Sequence, residues 1–151
     1  MNIQWIWSVL CERSVIDIDS NNISLFNVLE EIAVSTIPPQ QNASLLFPLS
    51  FELVTLWARA VPTAPAKGRG RTRVIKPDGE LVQPGFPIYD IDLSQYERIR
   101  VRQRLLGLPI SESGTCWFSV DIWDDDHSTW QEAGRVPIKL KVEVPEQSAG
   151  N

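Results

Sequence analysis

The sequence is poor in the residues that most catalytic and metal centres need. Its 151 residues hold one histidine, His127, and two cysteines, Cys11 and Cys116. A single histidine excludes sites built on two or three imidazole ligands and leaves at most one imidazole base. His127 and Ser128 adjoin on an expected turn, poor geometry for a base to reach a nucleophile. Cys11 falls in an expected core strand and Cys116 at a strand start, where thiols are inert. The two cysteines could pair, but a cytosolic chain of this size normally keeps them reduced, small and buried. Lys67-Gly68-Arg69-Gly70-Arg71 is rich in glycine but lacks P-loop order, and no helix follows it.

Other absences narrow the class. The formal charge is −5, so the basic excess that phosphate contacts require is missing, and nucleic acid is not an expected partner. No run approaches the ~20 apolar residues that span a bilayer. Met1 to Leu10 lacks a basic n-region, and Gln4, Trp5 and Trp7 break up any apolar h-region, so no secretory signal is expected. The expected location is the cytoplasm, with no membrane partner. No segment of helical length repeats every 3.6 residues; Leu25 to Ile32 comes nearest and is short. No internal repeat is visible.

What remains is an ordinary globular composition, 43% hydrophobic and 22% charged, with strand-like alternation along most of the chain. Ile3, Trp5, Trp7, Val9 and Cys11 share one face of a first strand. Asp19-Ser20-Asn21-Asn22 is a turn cluster, and Ile23–Ile32 reads as the returning strand. Pro38–Asn42 is a loop, and Pro48 delays the next strand to about Leu49–Ala60. Pro62–Gly70, with two prolines and two glycines, reads as a mobile loop. Pro77-Asp78-Gly79 is a tight turn between Thr72–Lys76 and Glu80–Gln83. Ile88–Leu93, Tyr96–Leu106, Cys116–Asp124 and Val136–Val144 complete eight to nine strands. The expectation is an all-β fold, an antiparallel β-sandwich of immunoglobulin-like or related Greek-key type. It forms one domain over 1–144 with a flexible tail at 145–151. Ile99, Val101, Phe118, Val120, Ile122, Ile138, Leu140 and Val142 are expected on one core side.

Leu10-Cys11-Glu12, Ile23-Ser24-Leu25-Phe26-Asn27-Val28, the Pro77-Asp78-Gly79 turn, Leu106-Gly107-Leu108-Pro109-Ile110, Gly114 and Phe118-Ser119-Val120 carry a resemblance. Together they resemble an uncharacterised prokaryotic family of small single-domain all-β proteins. The family commonly shows a second-position aspartate after the cysteine, where this chain has Glu12. The resemblance implies a fold and no activity or cofactor.

The most patterned stretch is Tyr96–Leu105. Arg98, Arg100, Arg102 and Arg104 take alternate positions, and Ile99, Val101 and Leu105 lie between them, so one strand face is cationic and the other apolar. Trp117–Trp123 alternates too, with Phe118, Val120 and Ile122 inward and Trp117, Ser119, Asp121 and Trp123 outward. Antiparallel pairing of the two segments would set Arg104 against Trp117, Arg102 against Ser119, Arg100 against Asp121 and Arg98 against Trp123. Arginine–indole contacts and ion pairs would then satisfy one outer face. The same residue types are enriched in interface hot spots, so Arg98, Arg100, Arg102, Arg104, Trp117 and Trp123 are the candidate partner-binding residues.

Charge is segregated elsewhere. Residues 67–76 carry five basic side chains and no acid; residues 117–132 carry five acids and no lysine or arginine. The acidic run makes Asp121, Asp124 and Asp126 weak calcium candidates, although EF-hand spacing is absent and consecutive aspartates diverge. The leading functional expectation is a non-catalytic protein–protein interaction module without a cofactor, its partner another protein or a second copy in a homodimer. The alternatives are a ligand-binding module, for carbohydrate on exposed tryptophans or calcium at 121–126, and more remotely a hydrolase.

Overall fold

A computed structural model describes residues 1–35, 45–110 and 112–143. Nine strands follow one another: β1 Ile3–Ile16, β2 Ile23–Val28, β3 Glu31–Ser35, β4 Leu45–Arg59, β5 Ala66–Ile75, β6 Tyr89–Leu93, β7 Arg98–Ile110, β8 Gly114–Asp124 and β9 Thr129–Glu143. They form a four-stranded sheet in the order β2-β1-β4-β7 and a five-stranded sheet in the order β3-β9-β8-β5-β6. The fold is therefore an all-β sandwich, and among the described residues there is no helix. In particular, none is long and apolar enough to cross a membrane. All pairings are antiparallel except β3 with β9, which is parallel.

The core lies between the sheets. Phe51, Leu53 and Trp57 from β4 meet Phe118, Val120 and Ile122 from β8 and Ile138 and Leu140 from β9, with Ile99, Val101 and Val142 packed at its margin. Phe51 and Phe118 meet edge to face at 6.1 Å, a favoured aromatic arrangement. Trp57 is fully buried and donates its Nε1–H to Tyr89 Oη.

Four local expectations need correction. Ile23–Ile32 is two strands: Asn27 takes φ +52°, and the chain leaves the first sheet to enter the second as β3. A register shift between Trp5 and Trp7 ends the single shared face of β1, because a bulge re-aims every side chain beyond it. Pro48 does not delay β4, which starts at Leu45 and absorbs the proline where the register shifts. Finally, the loop expected over 62–70 ends at Pro65, and Ala66–Ile75 is β5. Its glycines suit the strand because they face inward beneath bulky neighbours. A Cβ on Gly70 would collide with the ring of Tyr89, its cross-strand partner, and one on Gly68 with Ile3.

The turn at Pro77–Gly79 is as expected, closed by Gly79 N–H donating to Lys76 O at 2.9 Å and Lys76 N–H to Glu80 O at 2.8 Å. The return arm makes a single bridge, Ile75 to Leu81, rather than a strand. The expected loop at Pro38–Asn42 and the tail at 145–151 lie outside the described residues.

Candidate functional site

The Arg98–Arg104 ladder points outward as its period requires, but β7 does not pair with β8. The two strands belong to different sheets, and β7 pairs with β4, setting Arg98, Arg100, Arg102 and Arg104 opposite Ala58, Leu56, Val54 and Glu52. The expected pairing fails because alternation fixes which face a residue occupies and not which strand lies beside it. Trp117 and Trp123 consequently lie on the outer face of the five-stranded sheet, on the opposite side of the sandwich from the ladder.

The arginines beside β8 come instead from β5. Arg71 and Arg73 stand opposite Asp121 and Ser119. The Asp121 carboxylate is 1% exposed and accepts from Arg71 Nε at 2.8 Å, Arg73 Nε at 2.6 Å and Arg73 Nη2 at 3.0 Å. The Ser119 hydroxyl donates to Glu132 Oε2 at 2.7 Å, and Arg135 holds Glu132 from its other side. Around this centre Arg69 lies over Trp123, Arg71 over Trp130 and Arg135 over Trp117, at 4.9, 4.5 and 5.3 Å from the ring centroids. Trp123 and Trp130 meet edge to face at 5.4 Å. Hydrogen bonding to Asp121 raises the Arg73 pKa further, and the Arg135 hydrogen bond holds the Glu132 carboxyl below its ordinary value. The face is a closed network of charges and indoles. The basic 67–76 and acidic 117–132 segments meet within one chain.

The calcium candidates are spent in similar ways. Asp121 serves the two arginines. Asp124 is buried and accepts from the Asp126 backbone N–H at 3.0 Å and Gln131 Nε2 at 2.8 Å, with His127 Nδ1 at 2.6 Å. Asp126 is exposed on the turn. Among the described residues no three acidic, histidine or cysteine side chains converge as metal ligands.

The outer face of the four-stranded sheet is built differently. Val54 is fully buried there although it faces outward, because arginine stems cover apolar surface while their heads stay in water. Glu52, 6% exposed, is the one buried carboxylate beneath the ladder among the described residues; Ser14 donates to it and Arg104 reaches it at 3.4 Å. Burial pushes the Glu52 carboxyl up, but Ser14, Arg104 and Arg102 together outweigh it and hold it below the ordinary value. Arg102 contacts the Ser14 hydroxyl at 3.4 Å, and Arg100 donates to the carbonyl and side-chain oxygens of Asn21 in the β1–β2 turn. Beside Arg98 and Arg100 the surface sinks into a groove of about 810 Å³, lined by Trp7, Ile16, Leu56 and Tyr96. Sequence reasoning did not foresee Trp7, Leu56 and Tyr96 as neighbours of the ladder; the bulge that re-aims Trp7 leaves no mark in the alternation.

Both cysteines are buried thiols. Burial, then the neighbouring Glu52 charge, pushes Cys11 up, and burial pushes Cys116 up to about 11. Neither is an activated nucleophile.

No family model and no curated protein matches the sequence. Among solved structures, the chain is similar to one described as the N-terminal domain of PorA. The match covers 91% of this chain and 98% of that one at 12% identity, with a TM-score of 0.32.

Proposed function

We propose that this chain is a non-catalytic protein-binding module whose contact surface is the outer face of the four-stranded sheet, centred on Arg98, Arg100, Arg102 and Arg104. The observation that supports it is the contrast in how arginine is used. On the five-stranded sheet, Arg71 and Arg73 close on a buried carboxylate and the indoles are capped. On β7, among the described residues, only Arg104 pairs with a carboxylate, Glu52, and Arg98 and Arg100 flank a groove lined by Trp7, Leu56 and Tyr96. Guanidinium groups beside aromatic and aliphatic surface are the composition of interface hot spots. Trp117 and Trp123 then serve the fold of the opposite face.

The partner that fits is acidic, and labelled oligoglutamate is a direct probe. Replacing Arg100 and Arg102 by glutamate should leave the fold intact and weaken binding by about tenfold or more, with a steep salt dependence. Replacing Lys67 and Lys139, on the five-stranded sheet, by glutamate applies the same charge change and should alter binding less than about twofold. Equal losses in the two variants would show a response to net charge and remove the face from consideration.

A carbohydrate-binding reading keeps one favourable observation: Tyr96 is exposed beside half-buried Trp7 in the groove, and sugar rings stack on such platforms. A change in tryptophan fluorescence with soluble oligosaccharides, abolished by Trp7→Ala, would favour it over the protein-binding reading.

A further inference from the structure

Resting on the reading of the β7 face as a protein-binding surface, we propose that β7 takes its partner by strand addition: an extended segment of alternating acidic and apolar residues pairs antiparallel along Arg98–Arg104 as a fifth strand. Three observations converge on this edge. First, β7 ends its sheet, and among the described residues no strand lies beyond it. Second, its free backbone groups belong to the arginines. Arg59 N–H donates to Glu97 O at 2.9 Å, and the β4–β7 register runs without a shift from Ala58–Arg98 to Ser50–Leu106. Antiparallel hydrogen bonding alternates, so Ile99, Val101 and Gln103 turn their N–H and C=O groups toward β4, whereas Arg98, Arg100, Arg102 and Arg104 turn theirs outward. Third, Ile99 and Val101 face the core but are only half buried, because among the described residues no strand on that side completes their cover.

These features specify the occupant. A residue directly opposite each arginine exchanges backbone hydrogen bonds with it and presents its side chain on the same outer face, within reach for an ion pair. Acids therefore belong at those positions. The residues between them face the sandwich interior beside Ile99 and Val101, so they should be apolar. The site has two natural ends. The 95–97 segment bounds it on one side, and on the other Val82 and Phe86 pack against the core cluster that includes Leu105 and Leu108. A second copy of β7 is the wrong occupant, since two-fold pairing would oppose arginine to arginine, and like charges directly across strands are destabilising.

The test uses the full chain, isotopically labelled, and the capped peptide Asp-Val-Asp-Val-Asp-Val-Asp. On saturation, amide hydrogen exchange at Arg100 and Arg102 should slow by about tenfold or more, while Ile99 and Val101, already in the β4 ladder, stay unchanged. N-methylation separates backbone pairing from charge. Methylating the aspartate amides should abolish binding; methylating the valine amides, which point away from β7, should leave it within about threefold. If both methylated peptides bind like the parent, or Arg100 and Arg102 gain no protection, the ladder attracts acids without strand addition and this inference fails, while the broader reading stands. An absence of peptide binding also defeats it. The oligoglutamate comparison of arginine and lysine variants judges the broader reading separately.

Discussion

Two strands of this protein carry arginine at every second position, and their arginines have opposite fates. On β5, Arg69, Arg71 and Arg73 lie beside Trp123, Asp121 and Ser119 of β8 and are consumed by them. On β7, Arg98–Arg104 lie beside Ala58, Leu56, Val54 and Glu52 of β4, which offer stems a surface to cover but guanidinium groups a single carboxylate. The motif is the same and the neighbouring strand decides its use. An arginine ladder is a structural device where the adjacent strand supplies acids and indoles. It is an available surface where the adjacent strand is apolar.

The sharpest way to break this comparison is to remove a carboxylate from the closed face. Asp121→Ala leaves the heads of Arg71 and Arg73 packed together without their counter-ion, and breaking such a pair from the buried side costs about 3–5 kcal/mol. Urea unfolding should show that loss as a lower midpoint at unchanged slope. The Arg100→Glu, Arg102→Glu double variant should cost far less, about 1 kcal/mol or below, since surface ion pairs contribute little. Equal losses would mean that the two faces are held by the same kind of network.

The packing beneath β5 gives the next largest effect. Gly70 lies under the Tyr89 ring, and Tyr89 is pushed up to about 12, chiefly by burial. Gly70→Ala must displace the ring, an overpacking cost of about 1–3 kcal/mol. A buried neutral phenol with a raised pKa stabilises the fold fully below its unfolded value of 10.0, and that contribution is lost as pH rises toward 12. In the variant, phenolate absorbance from Tyr89 should appear at lower pH than in the parent chain. An unchanged titration would show that the ring keeps its burial without the glycine.

This strand also shows where sequence reasoning ends. Period two is as clear in Arg69-Gly70-Arg71-Thr72-Arg73 as in Arg98–Arg104, but the inward positions of β5 are glycine and threonine. The volume missing at Gly68 and Gly70 comes from Ile3 and Tyr89, which no local window contains, so the first half of the strand, residues 66–70, reads as a loop. The outward arginines of β7, the inward Phe118, Val120 and Ile122, and the Pro77–Gly79 turn were legible because each rests on residues adjacent in the chain. The neighbour of β8 was not legible: any outward arginine strand satisfies the same face rule. The groove at Trp7 was hidden for a third reason, a one-residue bulge that reverses the phase of β1.

Acid titration sharpens the contrast on the open face itself. The folded Glu52 carboxyl sits below its ordinary value of 4.5. A depressed carboxylate stabilises the fold above the unfolded value, and that stability is lost as pH falls below 4.5 through the folded value. Glu52→Gln should therefore flatten the acid limb of a stability–pH curve and leave stability above pH 6 only about 1 kcal/mol lower. An unchanged acid limb would mean that the arginines above Glu52 leave it unpaired.

The smallest effect expected is at Arg98. Arg104 reaches Glu52, Arg102 reaches Ser14 and Arg100 reaches Asn21, whereas no hydrogen bond or ion pair involves the Arg98 head among the described residues. Its cross-strand neighbour, Ala58, gives its stem little to cover. Arg98→Ala should change stability by less than about 0.5 kcal/mol, within the range of surface substitutions free of special contacts, while Arg104→Ala should cost slightly more because it leaves Glu52 to Ser14 and Arg102. Binding should reverse that order. Arg98 borders the Trp7–Tyr96 groove, so its removal should weaken oligoglutamate binding by about threefold or more at no cost to the fold. Thermal melts and anisotropy on the same two variants would measure both. A stability loss at Arg98 larger than at Arg104 would show that the ladder is anchored at its groove end, making β7 a structural strand like β5 and ending the distinction between the two faces.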